Sequence, residues 1–202
     1  MKINKILIVL LFPFIAEVII SCCDCIEPLI EHYTNKTLLI KNIDNSGSEP
    51  VVTTANSVPK EAFGIRTKLR REKVAFLKPT KSQFIPTAFA TSCDCPPEKQ
   101  LYARDSIISI QLYTLNDFDT NHPSNSEVSD YFKIFQGESF STIKDYLTKY
   151  NTVLYNDNEL DFEFDLLLMI PPSLNKSHSF KLKITISDGR VFEEASTPIE
   201  LL

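Results

Sequence analysis

The 202-residue sequence has no tryptophan, only four glycines and only three histidines. Four glycines are too few for phosphate-cradling or dinucleotide-binding loops, and no Gly-x-Ser-x-Gly elbow, His-Glu-x-x-His pair or Walker pattern occurs. His32, His122 and His178 stand far apart without metal-ligand spacing, and each is expected as a solvated loop residue. No enzymatic activity, cofactor or histidine-based metal site is therefore expected. Positive charge is not in excess either: 21 basic against 26 acidic side chains leave a formal net charge of -5. That balance argues against a dedicated nucleic-acid binder, which needs a basic face. A chain that is 43% hydrophobic and 23% charged is also neither collagen-like nor of low complexity. It suffices for one globular domain with a sizeable core.

The N-terminus carries the first positive signal. Lys2 and Lys5 precede an apolar run from Ile6 to Ile15, broken only by Pro13, and then Ala16 to Ser21. This is a signal-peptide layout. Even extended to Ile20 the run contains Glu17 and falls short of the ~20 residues that cross a bilayer as a helix. Its end, Ile19-Ile20-Ser21-Cys22, resembles the lipobox of bacterial lipoproteins. The resemblance implies cleavage after residue 21, a diacylglycerol on the Cys22 thiol and an acyl chain such as palmitate on its new amine. A single chain holds a protein to a membrane only marginally, whereas two or more hold it stably. The ordinary alternative is a plain signal peptide, with Cys22 as one more disulfide partner.

With Cys22 lipidated, four cysteines remain, in the triplets Cys23-Asp24-Cys25 and Cys93-Asp94-Cys95. An even count in an exported chain reads as a disulfide framework. A bond within a triplet would close a very small strained ring, so bonds from one triplet to the other are expected, in an arrangement the sequence leaves open. They would staple residues 22–36 to the domain. The alternative is a four-thiolate site for Zn or Cu(I), although structural zinc sites more often space their cysteines by two to four residues.

From residue 37 onward, strand patterns recur. Thr37 to Ile43 is β-rich, Phe63, Ile65, Thr67 and Leu69 alternate with polar or small residues, and Val74 to Leu77 and Pro86 to Thr91 are short apolar runs. Ile107 to Leu115, the alternating Leu160 to Leu168, and Phe180 to Ile186 follow, and Asp188-Gly189 reads as a two-residue hairpin leading into Arg190 to Ala195. Thr197 to Leu202 reads as a last edge strand. Helical periodicity appears only in an insertion near 126–150. Ser141 is the expected N-cap of a helix over Thr142 to Tyr150, and a turn or two is expected over Glu127 to Phe135. The expected fold for residues 37–202 is an all-β, immunoglobulin-like antiparallel β-sandwich with a short helical insertion, with a distorted barrel as the fallback.

Lipobox, paired Cys-Asp-Cys triplets, the stretch from Ser109 to Phe132 and the ending Phe180 to Ile199 together resemble small uncharacterised lipoproteins of the Bacteroidetes type. That resemblance implies an outer-membrane address. It implies no activity. Asp105-Ser106-Ile107 likewise resembles the short O-glycosylation acceptor of the same bacterial group.

Two charged runs and one loop are candidate contact surfaces. Asp157, Glu159, Asp161, Glu163 and Asp165 project from one strand face; calcium capture is one reading, a solvent face balanced by Lys181 and Lys183 the simpler one. Arg66, Lys68, Arg70, Arg71, Lys73, Lys78 and Lys81 form a basic run suited to anionic headgroups or surface polysaccharide, or simply to a solvated strand face. The stretch Asn116 to Tyr150, with Tyr131, Tyr146 and Tyr150, is the third candidate. The expected function is an envelope-anchored binding or structural module whose partner is an envelope protein or polysaccharide. The alternative is metal capture by Cys23, Cys25, Cys93 and Cys95.

Overall fold

Alternation of apolar and polar side chains along long strands leaves each with one face to bury, and two layers close on each other. The computed structural model describes residues 29–74, 99–137, 139–150 and 161–202. The first strand, β1 (Leu29–Asp44), is followed by the short β2 (Val51–Val52) and β3 (Ser57–Val58), the long β4 (Phe63–Val74) and β5 (Lys99–Ala103). Then come β6 (Ile107–Thr114), β7 (Phe132–Gln136), β8 (Ser139–Ser141), the helix α1 (Ile143–Tyr150) and β9 (Asp161–Leu168). The chain finishes with β10 (Ser177–His178), β11 (Phe180–Ile186), β12 (Val191–Ala195) and β13 (Ile199–Leu201).

One layer has the order β2-β1-β4-β9-β7-β8, with β5 parallel to β1; the other has the order β6-β11-β12. Lettered in chain order, the main strands run A-B-E-D (β1-β4-β9-β7) and C-F-G (β6-β11-β12). This is the constant-type immunoglobulin arrangement. The two layers meet through aromatic rings: Phe63 of strand B stacks on Phe180 of strand F with centroids 5.4 Å apart, and Phe132 of strand D meets Phe180 edge-on at 5.4 Å. Ile65, Leu69, Leu112, Ile134, Leu166, Leu182 and Ile184 are fully buried around them. Gly64 is required by packing, because a Cβ there would lie 2.6 Å from Leu167 Cδ2 and 2.8 Å from the Leu166 carbonyl oxygen.

The all-β sandwich and the short helix match expectation, and several local details differ. β1 begins at Leu29 and runs across the expected boundary between residues 36 and 37, kinked by an irregularity between Asn35 and Thr37. Thr142, not Ser141, caps α1: its Oγ1 accepts the Asp145 N–H at 3.1 Å and donates to Asp145 Oδ2 at 2.7 Å, while Ser141 ends β8. Helical turns over Glu127 to Phe135 shrink to one 3-10 turn, Ser129–Tyr131, before β7, because Phe132 and Ile134 take the alternate buried positions of a strand. The Asp188-Gly189 hairpin has three loop residues, Ser187 to Gly189, closed by Ile186 N–H to the Arg190 carbonyl at 2.9 Å. Only Gly189, at φ 90, is left-handed there. Finally, β13 is the middle strand of a separate three-stranded sheet, β10-β13-β3, with β3 parallel to it.

Strand directions fix the two ends of the sandwich. Ile43 faces Gly64, Gly64 faces Leu167 and Leu168 faces Phe132. The loops 115–131 and 169–176 therefore gather where β1 finishes, at the end opposite Leu29. Sixteen residues of β1 at ~3.3 Å each set these ends about 50 Å apart.

Candidate functional site

Among the described residues, Arg66 and Lys68 of the basic run are paired with the acidic strand. β4 and β9 pair antiparallel, so Arg66 faces Asp165, Lys68 faces Glu163 and Arg70 faces Asp161. Arg66 donates from Nε to Asp165 Oδ1 at 2.8 Å and from Nη2 to Oδ2 at 2.7 Å, with a further Nη2 bond to the Pro50 carbonyl at 3.1 Å. Glu163 adds a contact to the same guanidinium at 3.4 Å, and Lys68 reaches diagonally to Asp161 at 2.8 Å. The Asp165 carboxylate raises the Arg66 pKa, so its charge is held more firmly still. Cations balancing the acidic strand thus come from β4; Lys181 and Lys183 lie in the other layer, where Lys181 meets Glu193 at 3.8 Å. Lys73 pairs with Glu31 at 2.9 Å. Arg70 is exposed, whereas Arg71 is only 7% exposed and holds its guanidinium over the rings of Tyr33 (4.6 Å) and Phe162 (4.7 Å). Arg71 is a core cation, inaccessible to a polysaccharide.

Tyr146 is also a core residue, buried at 6% exposure between Phe162 and Phe164, and its hydroxyl accepts from Gln136 Nε2 at 3.3 Å. Burial pushes its phenol well above the usual range, despite the nearby Arg71. Ile143, Tyr146 and Leu147 of α1 pack onto the core. A groove of about 450 Å³ runs between the helix and the β6 edge, where Ile108 is exposed. Cys22, Cys23, Cys25, Cys93, Cys95, Lys78, Lys81, Asp157 and Glu159 lie outside the described residues.

Tyr131 reaches a surface cluster with Asp119 and with His122, which was expected as a solvated loop residue without a partner. Asp119 starts a turn: its Oδ1 accepts the backbone N–H of Asn121 (2.8 Å) and of His122 (2.9 Å). That turn returns the His122 ring to the same carboxylate, with Nδ1 2.8 Å from Oδ1 and 3.0 Å from Oδ2. The Tyr131 hydroxyl donates to Oδ2 at 3.3 Å, and its ring stands edge-on to the imidazole with centroids 4.9 Å apart. Burial opposes ionisation of Asp119, but the bonds from the His122 ring and the two amides prevail and hold its carboxyl below the usual range. Desolvation, with the Asp119 charge, pushes the Tyr131 phenol up. Nδ1 is thus taken up by Asp119, and no group among the described residues bonds Nε2.

His122 and Tyr131 border a hollow of about 320 Å³ that Glu127, Val128, Ser129 and Asp130 also line. Ser129 Oγ is committed, donating to Glu127 Oε1 at 2.7 Å and accepting the Leu112 N–H at 2.8 Å, so it is not paired with His122 as a nucleophile. A second polar hollow, about 540 Å³, opens nearby between Asn116, Asp117, Ser124 and Asn175 to Ser177. Asn175, left-handed at φ 57, donates to the Asp117 carbonyl at 3.0 Å, and Asn116 Oδ1 accepts the Ser179 N–H at 2.9 Å. The two loops are thereby locked together. Met169, Ile170 and Leu174 are 40–50% exposed beside them. Among the described residues no group of three or more His, Cys, Asp or Glu is placed to hold a metal ion.

His32 and His178 are not the loop residues expected. His32 lies on β1, and His178 is on β10 at 0% exposure, donating from Nε2 to the Leu174 carbonyl at 3.1 Å between Phe118 and Phe180. Asp105, at 4% exposure, is likewise structural: it accepts from Thr34 Oγ1 (2.5 Å), Asn35 Nδ2 (2.9 Å) and the Arg190 guanidinium, clamping β1 to the β11–β12 hairpin.

Fold and surface together define an immunoglobulin-like sandwich with a polar loop cluster at one end. Residues 35–197 match the family described as Domain of unknown function (DUF5034), and the chain belongs to that family. No curated protein matches the chain.

Proposed function

We propose that the protein is a bacterial envelope lipoprotein, anchored through Cys22 after removal of residues 1–21, whose sandwich is a non-enzymatic binding module with its recognition surface on the loops 115–131 and 169–176. The polarity of the fold carries this reading. Leu29 begins β1 seven residues after Cys22, and the loops carrying Asp119, His122 and Tyr131 lie at the other end, about 50 Å away. A membrane-held chain would thus present them outward. Loops locked onto a rigid sandwich are where such domains place recognition residues. The outer-membrane address rests on the resemblance to Bacteroidetes-type lipoproteins, and the partner is an envelope protein or polysaccharide.

Deleting 116–150 would be a poor test, because Phe118, Val128, Phe132, Ile134 and Tyr146 belong to the core. The test is a pull-down from the native envelope with the intact protein and with the double variant His122→Ala/Lys176→Ala, which removes one side chain from each of the two hollows, after circular dichroism confirms folding. The intact protein should retain a partner that the variant loses. Equal recovery by both would overturn the recognition surface, and four free thiols holding one zinc or copper per chain would favour metal capture by the cysteine triplets.

A further inference from the structure

The larger polar hollow, about 540 Å³, is lined by side chains that are each held at one polar atom and free at the other. Asn116 Oδ1 accepts the Ser179 N–H at 2.9 Å, which fixes its amide so that Nδ2 is the atom left over. Asn175 is fixed the opposite way: its Nδ2 donates to the Asp117 carbonyl at 3.0 Å, and Oδ1 is left over. Asp117 accepts the Ser124 N–H on Oδ1 at 2.9 Å and keeps Oδ2. Lys176 and Ser177 complete the lining, and Lys176 Nζ and Ser177 Oγ, like the three atoms left over, have no partner among the described residues. The lining stands on strands as well as loops. Ser177 belongs to β10, and Ser179, which holds Asn116, leads into β11.

From this array we infer that the hollow binds a neutral pyranose sugar, as the unit of a polysaccharide. The inference rests on the proposed recognition surface and narrows its partner to one class. Asp117 and Lys176 give the lining one charge of each sign, which favours neither a phosphate nor a metal ion, and no metal-holding group of three side chains occurs among the described residues. Leu115 is the one apolar residue of the lining, so an apolar ligand would strand polar groups without water. An amino-acid zwitterion would engage the two charges and leave both amides idle. A pyranose uses the whole set: two donors (Asn116 Nδ2, Lys176 Nζ), two acceptors (Asp117 Oδ2, Asn175 Oδ1) and the Ser177 hydroxyl. Each sugar hydroxyl donates and accepts at once, so neighbouring hydroxyls on one ring can satisfy a donor and an acceptor together. The volume lies within the ~300–1,000 Å³ of small-ligand sites. Side chains already held at one atom have less freedom to lose when the ligand arrives.

Saturation-transfer difference NMR on the full chain in detergent tests this, with the methyl glycosides of glucose, galactose and mannose as probes and inorganic phosphate and glycine as competitors. At least one glycoside should receive saturation at its ring protons, and neither competitor should displace it. Asp117→Asn keeps an oxygen for the Ser124 N–H while turning the free acceptor into a donor. Lys176→Ala and Ser177→Ala remove exposed side chains that hold nothing in the folded chain, so they do not disturb the fold through a lost contact. Each variant should raise the Kd for that glycoside about tenfold, the worth of one hydrogen bond. Lys133→Ala, which removes an exposed lysine from β7, should leave it unchanged. Saturation of none of the three glycosides, displacement by phosphate or glycine, or a Kd unchanged in both Asp117→Asn and Lys176→Ala would overturn the inference. The envelope pull-down fails separately. A partner lost by His122→Ala/Lys176→Ala with no glycoside bound keeps the recognition surface and overturns the sugar, whereas glycoside binding weakened by Asp117→Asn alongside an unchanged pull-down keeps the sugar site alone.

Discussion

Arg66 and Asp165 face each other across the middle of the large sheet, and the guanidinium closes on both carboxylate oxygens at 2.7 and 2.8 Å. Asp165 is almost buried, with a side-chain exposure of 10%, while Arg66 keeps 27%. A bidentate pair on a half-buried strand face is worth more than the exposed bridges around it. Arg66→Ala strands the buried carboxylate and should cost about 2–3 kcal/mol in urea unfolding. Lys68→Ala, whose bridge to Asp161 is exposed, should cost less than about 1 kcal/mol. Equal midpoints for the two variants would contradict this ranking.

The Asp105 clamp makes a second, steeper contrast. Asp105 ties Thr34, Asn35 and Arg190 together with a side-chain exposure of 3%, whereas Asp188 binds the same arginine at 44% exposure. Removing Asp105 leaves the Thr34 and Asn35 donors without their acceptor, while Arg190 keeps Asp188 and the Asn35 carbonyl. Asp105→Ala should destabilise by about 2–4 kcal/mol, and Asp188→Ala by less than about 1 kcal/mol. Chemical denaturation of both variants under one set of conditions distinguishes them.

Gly64 tests the packing between strands. An alanine methyl would meet Leu167 Cδ2 at 2.6 Å, the Leu166 carbonyl oxygen at 2.8 Å and Ile43 Cγ1 at 2.9 Å, and the carbonyl belongs to the backbone of β9. Gly64→Ala should therefore lose about 1–3 kcal/mol and broaden the amide signals of β9. A thermal midpoint unchanged from the wild type would show that β9 gives way freely.

His178 sets a pH dependence. Burial between Phe118 and Phe180 lowers its pKa, although its bond to the Leu174 carbonyl opposes this. The unfolded chain binds a proton near pH 6.5 that the folded chain refuses. This contribution is fully present above about pH 6.5 and is lost as the pH falls below it, at up to about 1.4 kcal/mol per pH unit. In His178→Phe that slope between pH 6.5 and 5 should flatten; an unchanged slope would assign the loss to other groups.

Much of this fold is legible in the sequence where one face of a strand is buried. The alternation in β4, β9 and β11 places Leu69, Phe164 and Leu182 correctly because period-2 patterning records burial directly. What escapes is anything decided by partners distant in sequence. Nothing in Arg66 to Arg70 announces Asp161 to Asp165 as its cross-strand partners, and a basic run therefore reads as a free surface. Arg71 looks like one more cation until Tyr33 and Phe162 close over it. Asp119 and His122 could have been found, since an aspartate three residues before a histidine in a loop is a turn that returns the imidazole to the carboxylate. Tyr131 was legible as an aromatic in the right segment, but its place beside that pair depends on how the 115–131 loop folds back.

The proposed outward presentation of His122 and Tyr131 depends on an anchor at Cys22. Mass spectrometry of the N-terminal peptide, taken from protein recovered in the native membrane fraction, tests this directly. The peptide is predicted to begin at Cys22 with a diacylglyceryl thioether and an acylated amine. An unmodified Cys22, or a mature chain beginning elsewhere, would contradict the anchored orientation and with it the outward presentation of His122 and Tyr131.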